Sequence, residues 1–115
     1  MTILAELKTI VSDLGLQSGV SVFEGKAPDE FVVFVPIGST FEQFADDLPQ
    51  YNSPEIRISL FTRNNFYELE NALTKSLIQH DFTITERTYV DFEEDTKYHH
   101  IAIDVEKIYT IDKEK

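Results

Sequence analysis

The chain has no cysteine and no tryptophan, a single methionine, and only four glycines and four prolines in 115 residues. Without thiols there is no disulfide framework, no thiolate nucleophile and no Cys-based zinc site, and the composition suits a reducing compartment. The glycines, at 15, 19, 25 and 38, form neither a phosphate-cradling loop nor a dinucleotide fingerprint, and no Gly-x-Ser-x-Gly elbow occurs. Positive charge is scarce as well. Ten Lys and Arg stand against 21 Asp and Glu, a formal charge of -11, which repels phosphate backbones instead of releasing their counterions. Ordinary nucleic-acid binding is therefore not expected, and the acidity serves either solubility or a specific electrostatic role. No segment approaches the roughly 20 apolar residues of a membrane span. Residues 1–14 interleave Glu6, Lys8 and Asp13 with apolar positions, unlike a signal peptide.

What is present suffices for one core. A 42% hydrophobic fraction with nine Phe and five Tyr fits a single domain over 1–115, one that buries roughly two-thirds of its unfolded surface. Ile3, Leu4, Leu7, Ile10, Val11 and Leu14 form one stripe at helical period, with Thr2 as N-cap and Gly15 as stop. Short β-branched or aromatic runs at 20–23 and 31–37 predict neighbouring strands separated by the turn-rich residues 25–29. Pro36, lacking a ladder donor, is expected at the end of its strand or on an edge.

Residues 38–54 have no period and carry Gly38, Pro49, Asn52 and Pro54, so they are expected to form a long loop. Strict alternation at 55–63 predicts a half-buried strand, with Ile56, Ile58, Leu60 and Thr62 on one face and Arg57, Ser59, Phe61 and Arg63 on the other. Asn65 followed by Glu68 reads as a capping box opening a helix to about Gln79, with Phe66, Leu69, Leu73, Leu77 and Ile78 as its stripe. Two strands, 82–90 and 97–105, complete a hairpin across an acidic turn at 91–95, and 112–115 should fray. The expected fold class is α+β: a mostly antiparallel sheet flanked by two helices, in the order α-β-β-β-α-β-β.

No convergent catalytic group emerges, so no catalytic, cofactor-binding or metal-binding residue is assigned and no cofactor is expected. His99 and His100 are adjacent in a strand and should point to opposite faces, whereas a chelating pair needs alternate positions. Asp91, Glu93, Glu94 and Asp95 lack the spacing of a calcium loop. The candidate contact residues are Phe41, Phe44, Asp46, Asp47 and Tyr51, aromatic and acidic positions within 38–54. Aromatic side chains supply large contact area, although Phe41 and Phe44 folding back onto the core, or a short helix at 40–48, are equally open.

Five segments together resemble the small tail-completion (tail-terminator) proteins of siphophages and prophages of Gram-positive hosts. They are 6–14, the Phe-Val-Val-Phe strand within 31–37, the aromatic-acidic stretch Phe41-Glu42-Gln43-Phe44-Ala45-Asp46-Asp47 with Tyr51, the strand Ile56-Arg57-Ile58-Ser59-Leu60-Phe61-Thr62 continuing to Phe66, and 88–105. The match spans nearly the whole chain but consists of patterns rather than signature motifs; Arg63-Asn64-Asn65 departs from the Asp/Lys-rich turn expected there. The resemblance implies a virion subunit assembled in the host cytoplasm. It would form a ring of itself, commonly a hexamer, cap the head-proximal end of the tail tube, and contact the tail-tube protein and head connector, with DNA passing through unbound. Alternatives are a head-completion protein of the same neck, an acidic DNA mimic that inhibits a nuclease or repressor, and a small-molecule-binding or enzymatic sheet domain. Mimicry needs carboxylates on one continuous face, and here they are scattered.

Overall fold

The computed structural model describes residues 2–45 and 48–110, with backbone alone described at 39–45, 48–52 and 110. The elements follow the order α1 (Ile3–Asp13), β1 (Gln17–Val20), β2 (Glu30–Ala45), β3 (Leu48–Thr62), α2 (Phe66–Gln79), β4 (Thr83–Phe92), β5 (His99–Glu106) and β6 (Tyr109–Thr110). This is the expected α-β-β-β-α-β-β order with a two-residue strand added at its end. The sheet runs β1-β2-β3-β5-β4, and β6 pairs with β3. Every pairing is antiparallel except β1 with β2, where Gln17 to Val20 run parallel to Phe31 to Phe34.

Both helices start where capping chemistry starts them. The Thr2 hydroxyl accepts from the Ala5 amide at 3.2 Å, and the Asn65 side chain accepts from the amides of Tyr67 and Glu68 at 3.0 and 3.3 Å. Glu68 closes the second cap through the Asn65 side-chain amide, which donates to it at 3.1 Å, rather than through the backbone N–H of a standard capping box. Gly15, at φ 81°, ends α1 in a conformation that favours glycine.

The two helices lie on one face of the sheet. Leu7, Ile10 and Val11 of α1 and Leu73 and Leu77 of α2 pack on Val32, Phe34, Ile56, Ile58, Leu60, Ile101, Ile103 and Val105. The alternation expected for β3 and β5 is what places these side chains. Ile78 departs from its expected place in the helical stripe and is 60% exposed, because one turn of a helix cannot turn both Leu77 and its neighbour onto the sheet. On the opposite face Phe31, Val33 and Tyr98 form a smaller cluster with Phe23, Ala27, Val35 and Phe61, over which residues 21–29 fold. Tyr98 donates its hydroxyl to the Pro28 carbonyl at 2.5 Å, and the Arg63 guanidinium lies 4.2 Å above the Tyr98 ring while pairing with Asp29 at 2.9 Å.

Two expected boundaries move. The first strand is Gln17–Val20 instead of 20–23, because the chain reverses immediately after it: Ser21 has φ 67° and the Val22 amide donates to the Val20 carbonyl at 2.8 Å. This reversal leaves no room beside Gly19, where a Cβ would stand 2.2 Å from the Val22 carbonyl oxygen. Gly19→Ala must displace the backbone turn, and is expected to cost about 1–3 kcal/mol in denaturant titration. The acidic turn also shifts, to the residues after Phe92, and closes through Glu93 N–H to the Tyr98 carbonyl at 2.8 Å.

The largest correction concerns 38–54. The loop expected there is a β-ribbon, with Gly38 opposite Glu55, Thr40 opposite Ser53 and Ala45 opposite Leu48. Its prolines mislead because proline is tolerated in a ribbon at the margin of a sheet, and Pro49 and Pro54 stand in the ladder opposite Phe44 and Ser39. Pro36 does not end its strand but lies inside β2, opposite Ile56, past the end of the β1 pairing at Phe34, so the edge position that was the other expectation holds, and the register shifts between Pro36 and Gly38. The expected fraying at 112–115 lies outside the described residues.

Candidate assembly surface

The sheet supports only the inner part of the β2–β3 hairpin. On one side β1 stops opposite Phe34, and on the other β5 stops opposite Glu55. Beyond these points the two strands pair with each other, joined among the described residues by β6 at Tyr51 and Asn52. The result is an arm, and the molecule measures 54 Å along its longest axis against 26 and 22 Å across.

The candidate contact residues map onto this arm. Phe41 stands opposite Asn52, Phe44 opposite Pro49, and Tyr51 opposite Glu42. The structure thus brings the three aromatic positions onto one ribbon, while Asp46 and Asp47 lie outside the described residues. By sequence the interval 38–54 carries Glu42, Asp46 and Asp47 and no Lys or Arg.

A network at the base of the arm was not legible beforehand. Glu6 of α1 accepts from Lys107 Nζ through one carboxylate oxygen and from the Tyr109 hydroxyl through the other, both at 2.7 Å. Lys107 also donates to the His80 carbonyl at the end of α2, at 3.0 Å. Burial works to raise the Glu6 carboxyl, but the hydrogen bonds from Lys107 and Tyr109 and the Lys107 charge together hold it below the ordinary 4.5. Burial and the Glu6 hydrogen bond push the Tyr109 hydroxyl well above its usual range. The two-residue β6 has no sequence pattern of its own, yet its first residue, Tyr109, is held by this network.

A second aromatic group also escaped the sequence because three elements supply it. Phe66 and Tyr67 of α2 stack at 4.6 Å, Tyr89 of β4 and His99 of β5 lie 5.1 and 4.8 Å from Phe66, and Phe92 lies 4.8 Å from His99. Tyr67, Tyr89 and Phe92 are exposed. The Tyr89 hydroxyl and His99 Nδ1 are hydrogen-bonded at 2.8 Å.

His99 and His100 do face opposite ways, as adjacent strand residues must. His100 stacks on Phe61 at 4.3 Å, on the face away from the helices. Its Nε2 is buried with no partner among the described residues. Burial holds its pKa below the ordinary 6.5, against the pull of Asp91 and Glu93. The unfolded chain therefore takes up a proton where the folded chain still refuses it, so stability falls as the pH drops below 6.5 and levels once the folded ring titrates. His100→Phe keeps the stack and removes the proton, and should flatten this part of the pH–stability curve. Urea midpoints measured at pH 5 and pH 7.5 will test it, and an unchanged slope would assign the dependence elsewhere.

Among the described residues no group of three or more His, Asp or Glu side chains stands close enough to hold a metal ion. The bidentate Arg57–Asp104 pair, at 2.8 and 3.0 Å, has both partners engaged across β3 and β5. No protein-family model matches the chain, and a search of curated proteins returns no match. Among the described residues no helix is long and apolar enough to cross a membrane.

Proposed function

We propose that the chain is a non-catalytic virion subunit, a tail-completion protein that assembles into a ring, commonly a hexamer, on the head-proximal end of a tail tube. The ring stops tube growth and offers the head connector its docking surface, and DNA passes through without adhering. The observation that carries this reading is the arm together with two open sheet edges, at β1 and β4. A closed heterologous ring needs two different patches on each subunit, and a ribbon plus a strand edge supplies such a pair. The sequence resemblance and the α+β order agree with it. The surplus of carboxylates gives the ring a reason not to grip phosphates, provided they line its lumen.

Size-exclusion chromatography with light scattering, at rising concentration and with tail-tube protein present, tests assembly. A closed oligomer bound to tube ends is the expected result, and a strict monomer that ignores the tube would refute the proposal. Cryo-electron microscopy of the assembled neck tests the charge, since a neutral or basic lumen would end the electrostatic part of the reading.

A further inference from the structure

The two edges of the sheet are built differently. Strand β4 carries Glu86, Arg87 and Asp91 and shifts register twice, between Ile84 and Glu86 and between Tyr89 and Asp91. Charges and bulges on an edge are how natural sheets block strand addition. Strand β1, Gln-Ser-Gly-Val, has neither. It is also flanked on both faces by open recesses. One, of about 280 Å³, runs under α1 between Leu4, Ala5, Lys8 and Phe34, and the other, of about 400 Å³, is bounded by Val22 and Phe23. Val20 and Val22 are 51% and 60% exposed there.

The same chain holds a ribbon with nothing beside it. The β2 strand of the arm has no partner on its outer edge beyond Phe34 among the described residues, and an isolated two-stranded hairpin is only marginally stable in water. The interval 38–54 is purely acidic, whereas Lys8, at the mouth of the recess under α1, makes no ion pair among the described residues. The arm cannot reach its own β1. Thr40 lies six residues beyond Phe34, the partner of Val20, roughly 20 Å away at about 3.3 Å per residue.

We infer that the arm of one copy docks along β1 of a second copy, its β2 strand extending the neighbour's sheet past β1, an acidic segment set against the edge beside which Lys8 lies. This names the self-contact within the ring reading above and rests on it. Docking is head-to-tail, so each subunit gives one arm and receives one, and the chain closes into a ring when the rotation permits.

Two variants separate donor from acceptor. In the first, residues 40–53 are replaced by Asn-Gly, joining Ser39 to Pro54. In the second, Val20→Asp places an acid on the exposed edge. Ile78→Asp, at an exposed position on α2, is the control. Light scattering of the purified full chain up to about millimolar should show concentration-dependent oligomers for wild type and control, and association weakened by at least about tenfold for each variant. Circular dichroism should show both variants folded. An equimolar mixture of the two should give a one-to-one dimer that grows no further, because only one intact arm and one intact edge can meet. Oligomers formed by the arm-deleted or Val20→Asp chain as readily as by wild type would overturn the docking while leaving a ring closed by other surfaces in place. A mixture that stays monomeric would overturn it too, as would a wild type that never self-associates, whereas the tube-capping reading falls only if the chain also ignores tail-tube protein.

Discussion

Ile58→Ala is expected to lower the free energy of unfolding by about 2–5 kcal/mol, the largest effect of any single substitution considered for this chain. Ile58 is fully buried on β3, the middle strand of the sheet, and stands opposite Phe34 on β2 and Ile103 on β5. Its neighbours are backbone-paired on both sides and roofed by both helices, so they cannot collapse into the space that three lost carbons leave behind. The loss is the transfer free energy of those carbons plus that of the residual cavity. A domain of this size has about 5–15 kcal/mol in total, so the variant gives up a large share of its stability. Urea titration should show a lower midpoint with an unchanged slope. Ile78→Ala, equally apolar but exposed, should stay within about 0.5 kcal/mol of wild type, and equal effects at the two positions would contradict the packing described.

Glu6→Ala is expected to cost about 1–3 kcal/mol, and its effect should depend on pH. The substitution leaves Lys107 with only the His80 carbonyl and leaves the Tyr109 hydroxyl, itself partly buried, with no acceptor from α1. Both Glu6 and Lys107 retain about a fifth of their side-chain exposure, which places the loss below that of a fully buried pair. The carboxyl is held below 4.5 in the folded chain. Its contribution is therefore complete above the unfolded pKa and disappears as the pH falls through the folded value. Wild type and Glu6→Ala should differ most at neutral pH and converge as acid protonates the carboxylate. A difference that persists unchanged to pH 2 would show that the cost comes from lost packing rather than from the charge.

The parts of the fold that could be read from the sequence are those where one periodicity serves one buried face. The alternation from Ile56 to Thr62 and from Ile101 to Val105 sorts every side chain correctly between the helices and the outer face, and the stripe from Ile3 to Val11 does the same for α1. Legibility ended where pairing rather than burial decides structure. Residues 38–54 carry no alternation in their sequence, so their glycine and prolines outweighed the backbone pairing that makes them a ribbon. Strand β1 was misplaced because Val20 and Val22 look like strand residues, yet the backbone reverses between them. Strand β6 is two residues long, and its partner at Tyr51 and Asn52 is far away in the chain.

The candidate contact residues fared in the same way. Their chemistry, aromatic and acidic with no cation, marked Phe41, Phe44, Asp46, Asp47 and Tyr51 as contact candidates; the backbones of Phe41, Phe44 and Tyr51 lie on the arm, and Asp46 and Asp47 lie outside the described residues. What could not be read was the complementary edge. Nothing in Gln17-Ser18-Gly19-Val20 announces a strand flanked by recesses, because the recesses are formed by α1 on one face and by the reversal at Val22 and Phe23 on the other. The exposed group of Tyr67, Tyr89 and Phe92 has the same origin, each residue being unremarkable on its own element.

The short strand at the base of the arm ties the ribbon to the rest of the fold. Tyr109 pairs its backbone with Asn52 on the arm and its hydroxyl with Glu6 on the first helix. One residue therefore couples the ribbon's backbone to the first helix, so the place of the arm and the seating of α1 share a hydrogen bond that a Tyr109→Phe chain would lack.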